Sequence, residues 1–296
     1  MRVFRSPRFK RIPSAPPLQL TDRDTRIIQH VHRHRFLRST QIVKLVGGSK
    51  QQVLRRLHRL FHHGYLDRPR AQIEHYRNGS QAMVYGIGHR GVKFLEQWLA
   101  VPQRKVDWSA KNRNATRFFL EHTLAVAEFM VALEIACRER NDIELLTHSE
   151  ELLKWNVEVR RGSQVHSIGV IPDRVFGLRG KSKPAEVVWY FLEADRATMP
   201  VERHSLKQTS FARKLLAYHE TWRQGVLKNS FPRFRVLTVT TTPARVQHLI
   251  EAHQRFNQGK GSGVFLFTHK DAFTDKTRAL DLPWLNGRGE SVTLTE

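Results

Sequence analysis

The sequence predicts a mixed α/β protein of two domains, and three observations carry that prediction. Its 296 residues leave room for about two domains of roughly 100–200 residues each. Hydrophobic side chains make up 40% of the chain, enough for packed cores. Residues 20–99 carry helical spacing with capping residues, whereas 142–268 alternate β-branched and aromatic runs with helical ones.

Charge narrows the class of partner before any motif does. Lys and Arg number 50 against 27 Asp and Glu, a net charge of +23. That excess is the electrostatic footprint of a nucleic-acid binder. The rival, a cationic membrane-surface protein, lacks both a long basic amphipathic helix and an apolar run of about 18 residues. A single cysteine, Cys137, excludes a disulfide framework and a Cys-rich zinc site. The first residues are basic but have no apolar core, so they do not read as a secretion signal, and a reducing cytoplasm is the expected compartment.

Residues 1–20 hold five basic residues, four prolines and no acid, the composition of a flexible basic arm. The domain expected over 21–100 opens at Thr21, an N-cap followed by Asp22 and Asp24 in the first turn. Ile27, Ile28 and Val31 give the apolar face of a first helix. A second helix runs from about Ser39 to Leu45 and ends at Gly47-Gly48. Ser49 opens a third, with Gln52 three residues on as a capping-box partner. Val53, Leu57, Leu60 and Phe61 share one face of that helix, and Lys50, Gln51, Gln52, Arg55, Arg56 and Arg59 the other. Strand-like segments at Ile73–Tyr76 and Ala82–Tyr85 flank Asn78-Gly79, a hairpin-turn signal. A helix from about His89 to Leu99 closes the unit. Three helices, the third basic, and a two-stranded wing make a winged helix-turn-helix. Its third helix would enter the major groove of double-stranded DNA, and Arg77 on the wing would touch the backbone. A homodimer reading paired half-sites would suit such a domain, although no heptad seam marks one.

A polar linker is expected over 101–115, and the second domain over 116–270, with 271–296 as a C-terminal tail. The second domain starts with a long helix, roughly Thr116–Arg140. Strands follow near 142–147, 165–178 and 186–196, then a helix over Ser205–Trp222. A strand at Arg235–Thr241, a helix from Pro243 and a strand at Val264–Thr268 complete an α-β-β-β-α-β-α-β order. Asp173 follows Pro172, and Glu193 and Asp195 stand two apart, so a period of two points both to one face. They end an apolar run, Val187–Leu192, where unpaired carboxylates are costly. A divalent cation with oxygen ligands, Mg²⁺ or Mn²⁺, would neutralise them, and so would neighbouring Arg and Lys side chains.

Pro172-Asp173 followed by Glu193-Ala194-Asp195 resembles the PD-(D/E)XK nuclease core, whose restriction-endonuclease-like fold has the same α-β-β-β-α-β order. The resemblance implies that Asp173, Glu193 and Asp195 are metal ligands and catalytic residues. Asp195 stands where the superfamily has lysine, and Lys207 and Lys214 on the following helix are the available replacements. Lys214 and Tyr218 lie one turn apart, like the glutamine and tyrosine of the RecB-like signature. Either they serve the site, with Tyr218 the nearest candidate for a covalent nucleophile, or they are an ordinary amphipathic pair. Glu128 falls on a stripe with Glu121, Ala125 and Ala132, the place of the helix-borne acid of such nucleases, where it is either a further metal ligand or a solvent-facing glutamate. With a basic winged helix ahead of IPDRVF and FLEADRATMP, residues 20–270 resemble the replication-relaxation family of bacterial plasmids and mobile elements, and the related MobC-class relaxases. That resemblance implies a metal-dependent DNA nickase or endonuclease acting at an origin-like site, with mobilisation or replication proteins as partners; the alternative is a non-catalytic DNA-binding initiator, repressor or accessory protein on a degenerate nuclease scaffold.

Overall fold

A computed structural model describes residues 8–73, 81–99, 107–148, 153–273 and 278–295. The fold is mixed α/β, with eight α-helices and three sheets among those residues. The chain divides into two compact units, Met1–Val131 and Ala132–Glu296.

In the first unit α1 (Asp22–His34), α2 (Ser39–Val46) and α3 (Lys50–His62) pack in sequence. The N-terminus of α1 is a capping box: the Thr21 hydroxyl accepts from the Asp24 amide while the Thr21 amide donates to the Asp24 carboxylate at 2.8 Å. Ser49 makes no such bond at the start of α3, and the Gln52 side chain accepts from Arg23 at 3.3 Å. The apolar faces read from the sequence meet: Ile27, Ile28, Val31, Ile42, Val53, Leu57 and Leu60 are fully buried.

A three-stranded antiparallel sheet completes the unit, in the order β1 (Phe36–Arg38), β3 (Val84–Ile87), β2 (Leu66–Asp67). Here the expected wing is corrected. The strand placed over Ile73–Tyr76 begins instead as helix, since Ile73 has φ −59 and ψ −40; its remainder, with Arg77 and Asn78-Gly79, lies outside the described residues. Pro69 fixes the entry to a 3₁₀ turn over Arg70–Gln72. The buried Gln72 side chain then takes both backbone groups of Val84, donating to its carbonyl at 2.9 Å and accepting from its amide at 2.8 Å. The sheet turns out through Gly88, where a Cβ would stand 2.3 Å from the Gly64 carbonyl oxygen, a spacing only glycine permits.

The helices α4 (His89–Leu99) and α5 (Trp108–Arg113) follow. The second occupies the expected linker: Asp107 caps it, and Asn112 is buried, donating to the Ile87 carbonyl at 2.7 Å. The basic arm is not free from residue 8 onward. Arg11 bonds the Phe61 and Leu66 carbonyls and pairs with Asp67, and the Ile12 amide donates to His62 Nδ1 at 3.2 Å. A helix of 23 residues, α6 (Arg117–Glu139), contains the division between the units.

The second unit is built on a seven-stranded sheet, ordered β12-β11-β10-β9-β8-β7-β4. Its strands are β4 (Ile143–Thr147), β7 (Arg174–Gly180), β8 (Val187–Ala194), β9 (Phe234–Thr240), β10 (Phe265–His269), β11 (Trp284–Asn286) and β12 (Ser291–Val292). β4, β7 and β8 are antiparallel neighbours, whereas β8, β9 and β10 run parallel. The parallel pairs need crossovers, supplied by α7 (Phe211–Arg223) and α8 (Pro243–Phe256). Sheet, helices and hairpin share one core, which includes Phe191, Leu215, Tyr218, Val236, Leu249 and Phe267.

Two features depart from expectation. The strand placed at 165–178 is two strands, β6 (Gln164–Val170) and β7, separated at Pro172, whose missing amide cannot serve a ladder. β6 pairs with β5 (Trp155–Arg161) in a separate hairpin whose inner residues Val157, Val159, Ile168 and Val170 join the core. Residues 271–296, expected as a tail, supply β11 and β12; Trp284 is fully buried.

Candidate functional site

Central strands of a partly parallel sheet are covered on both faces, and the apolar run Val187–Leu192 reflects that. The run stops at the end of β8, where Glu193 is only 1% exposed. Asp173 enters from the neighbouring strand: its amide donates to the Leu192 carbonyl at 3.1 Å, and its carboxylate accepts from the Ala194 amide at 2.8 Å. The Asp173 carboxylate is thereby fixed by backbone at the strand end that bears Glu193.

From α7, one turn apart, come the partners of Glu193. Lys214 Nζ lies 2.5 Å from one carboxylate oxygen, and Tyr218 Oη donates to the other at 2.6 Å. Ser210 caps the helix that presents them. Burial and the nearby Asp173 push the Glu193 carboxyl up to about 7, against the pull of Lys214 and Tyr218. Burial works against the Lys214 charge, but Glu193 and Asp173 hold its ammonium above its ordinary range. Burial, then Glu193, pushes the Tyr218 phenol well above its usual value. A carboxyl poised near neutrality beside a fixed ammonium is a proton-handling arrangement.

The site residues expected from the sequence separate here. Asp173, Glu193, Lys214 and Tyr218 come together. Asp195 lies just past β8 and closes on Arg245 of α8: guanidinium Nε donates to Oδ2 at 2.7 Å and Nη2 to Oδ1 at 3.1 Å. Thr240 Oγ1 and the Ala197 amide also donate to it, at 2.7 and 3.0 Å. The expected third metal ligand is therefore the acceptor of a buried ion pair, because β9 and α8 bring Thr240 and Arg245 to it. Glu128 is exposed and pairs with Arg38 at 2.7 Å, a bond within the first unit. Lys207 is exposed in the loop before α7. Tyr218 is fully buried and its hydroxyl is engaged with the Glu193 carboxylate.

The second candidate is the polar face of α3. Lys50, Gln51, Gln52 and Arg55 are exposed along it, with Leu54 between them. Arg56 and Arg59, expected on that same contact face, are engaged. Arg56 Nε donates to Asp24 Oδ1 at 2.8 Å, its Nη2 meets Oδ2, and Nη2 also donates to the Gln19 carbonyl at 2.9 Å. Arg59 bonds the Pro17 carbonyl at 2.6 Å. Burial raises the Asp24 carboxyl, but its bonds to Arg56 and Thr21 hold it below the ordinary value overall.

Sequence reasoning missed Arg245 and Gln72. The one signal for the former was a Pro243-Ala244-Arg245 start to the helix after an apolar strand, which places an arginine in the first turn beside the sheet end. No helix among the described residues is long and apolar enough to cross a membrane. No curated protein and no solved structure matches the chain. A family model, that of replication-relaxation proteins, matches residues 28–234 and so spans both the α3 face and the Asp173–Glu193 pair. The chain belongs to the replication-relaxation family.

Proposed function

We propose that the protein is a DNA-binding, metal-dependent DNA nickase or endonuclease that acts at an origin-like site on a mobile element. The observation that carries this reading is the Asp173–Glu193 pair with Lys214 beside it. We read the first unit as a winged helix, since α1, β1, α2, α3, β2 and β3 follow in that order, with Lys50, Gln51, Gln52 and Arg55 facing DNA. We read the second as restriction-endonuclease-like, with β4, β7, β8, α7 and β9 following α6 and the β5–β6 hairpin inserted.

Asp173 and Glu193 suit a hard cation. They offer oxygen donors, and the repulsion between them, part of what drives Glu193 up to about 7, is what a divalent ion relieves. Mg²⁺ or Mn²⁺ held by the two carboxylates would supply Lewis-acid activation of a water. In this reading Lys214 orients the scissile phosphate, Tyr218 positions Glu193, and Asp195 with Arg245 supports the loop after β8, as the bond from Arg245 to the Met199 carbonyl at 2.6 Å suits.

The test is cleavage of supercoiled plasmid bearing the gene's own neighbourhood, with Mg²⁺, Mn²⁺ or EDTA. Metal-dependent open circles that vanish in Asp173→Ala/Glu193→Ala, with duplex binding retained, are expected; equal cleavage by the double mutant overturns the reading. A second reading rests on Glu193 being sealed at both oxygens by Lys214 and Tyr218. It is a DNA-binding initiator or repressor without scission, and tight metal-independent binding with no open circles would establish it.

A further inference from the structure

Between Asp195 and Ser210 the chain makes a long excursion before α7 begins. It starts at the Asp195–Arg245 clamp and ends on the helix that carries Lys214, so both its ends are fixed beside the carboxylates. Arg213 also holds it from α7, donating to the Leu206 carbonyl at 2.7 Å. The β5–β6 hairpin stands on the same helix. Trp155 Nε1 donates to Thr221 at 2.8 Å, Gln224 donates to the Glu158 carbonyl at 2.7 Å, and the Trp155 ring lies 5.9 Å from that of Tyr218. At the hairpin tip, where Gly162 turns the chain at φ +59, Arg161 donates to the His204 carbonyl at 3.3 Å. Loop and tip therefore form one surface.

Its charge is one-sided. Arg160, Arg161, Arg203 and Lys207 are all exposed. Among the described residues none of the four meets a carboxylate. The two acids of these segments differ in their commitments: Glu202 is taken by Arg255 at 2.9 Å, and Glu158 stands exposed two residues before Arg160. Four exposed cationic side chains on a braced frame, against the single uncommitted acid Glu158, suit a polyanion with regularly spaced charges.

We propose that the hairpin tip and the 196–210 loop form a second nucleic-acid surface, which takes the phosphate backbone of the DNA strand delivered to Asp173 and Glu193. The proposal rests on the reading of those carboxylates as the cutting site, but the contact itself is separable from cutting. Phosphate contacts of this kind fix register and orientation without reading sequence. Delivery to the carboxylates would thus not depend on the sequence at the scissile step.

The experiment measures the salt dependence of full-length protein binding to a random-sequence fluorescent DNA duplex in EDTA. The variants are Arg160→Gln/Arg161→Gln/Arg203→Gln/Lys207→Gln and, because Arg161 also braces the loop, Arg160→Gln/Lys207→Gln. Each lost phosphate contact flattens the slope of log Kobs against log[salt] by about 0.9. A slope shallower by about 2–4 is expected in the fourfold variant and by about 1–2 in the double variant, with melting temperatures unchanged in the double variant. Slopes equal to that of wild type in both overturn the surface. A flattened slope in a protein that never cuts plasmid sustains the surface and removes the nuclease reading, whereas an unchanged slope in a protein that does cut removes the surface alone.

Discussion

Arg245 and Asp195 meet through two parallel hydrogen bonds, of 2.7 and 3.1 Å, at the sheet end where Glu193 stands. The pair is nearly dry: the two side chains are 14% and 2% exposed. Bidentate guanidinium–carboxylate geometry resists substitution by lysine. Removing one partner of such a pair leaves an uncompensated buried charge.

Asp195→Ala should therefore cost about 3–5 kcal/mol in urea unfolding, and Arg245→Lys should recover only part of the stability lost in Arg245→Ala. A wild-type midpoint for Asp195→Ala would show that the pair does not hold the fold.

Neighbouring arginines on α3 should behave oppositely. Arg56→Ala strips a fully buried Asp24 of its cation and leaves it only the Thr21 bonds, and should lower stability by about 3–5 kcal/mol. Arg55→Ala removes an exposed side chain, so its stability should stay within about 0.5 kcal/mol of wild type while duplex affinity falls and its salt slope flattens. Equal stabilities for the two variants would contradict the assignment of Arg56 to the fold.

Glu193 gives stability an unusual pH dependence. Its folded value of about 7 lies above the ordinary 4.5, so the folded state binds the extra proton between those values. That contribution is full below pH 4.5 and is lost as pH rises toward 7, to the order of 3 kcal/mol. Glu193→Gln keeps the neutral form at every pH and should flatten the decline across this window in melts recorded from pH 4.5 to 8. Tyr218→Phe, which removes a donor to the carboxylate, should move that window upward in the metal-free protein.

His253 works in the other direction. It is fully buried between helix and sheet, and neither ring nitrogen has a hydrogen-bond partner. Burial and the nearby His219 depress it to about 4, so stability falls as pH drops from 6.5 to 4. His253→Leu removes the unpaired groups; the variant should melt higher at neutral pH, by the equivalent of about 1–3 kcal/mol, and lose less on acidification. A lower melting temperature at pH 7 would mean that the ring's packing against Phe256 and Phe265 outweighs its desolvation.

The sequence made local features legible. Thr21 and Asp24 announced the start of α1, the run Val187–Leu192 announced a central strand, and helical spacing put Lys214 and Tyr218 on one face of α7. Each of those depends on residues within about a turn of one another. What escaped notice depended on strand order or on backbone. Arg245 reaches Asp195 only because β9 lies beside β8, a pairing that no local pattern encodes. The arm's place along α3 is held largely by main-chain carbonyls of Pro16, Pro17 and Gln19, which any sequence would offer. The β5 strand was hidden by its polar outer face, which leaves only Val157 and Val159 buried at its centre.

The two short strands after β10 carry a consequence for solubility. β10 is apolar along most of its length, with Phe265, Leu266 and Phe267 buried, and without β11 it would become the outer strand of the sheet. An uncovered strand of that kind recruits other chains edge to edge. β12, at the present rim, is two residues long and starts with an exposed serine, a poor template for such growth. Residues 278–295 thus act as a selvedge that keeps the sheet from unravelling into aggregates, and their loss would be felt first in the yield of dispersed protein.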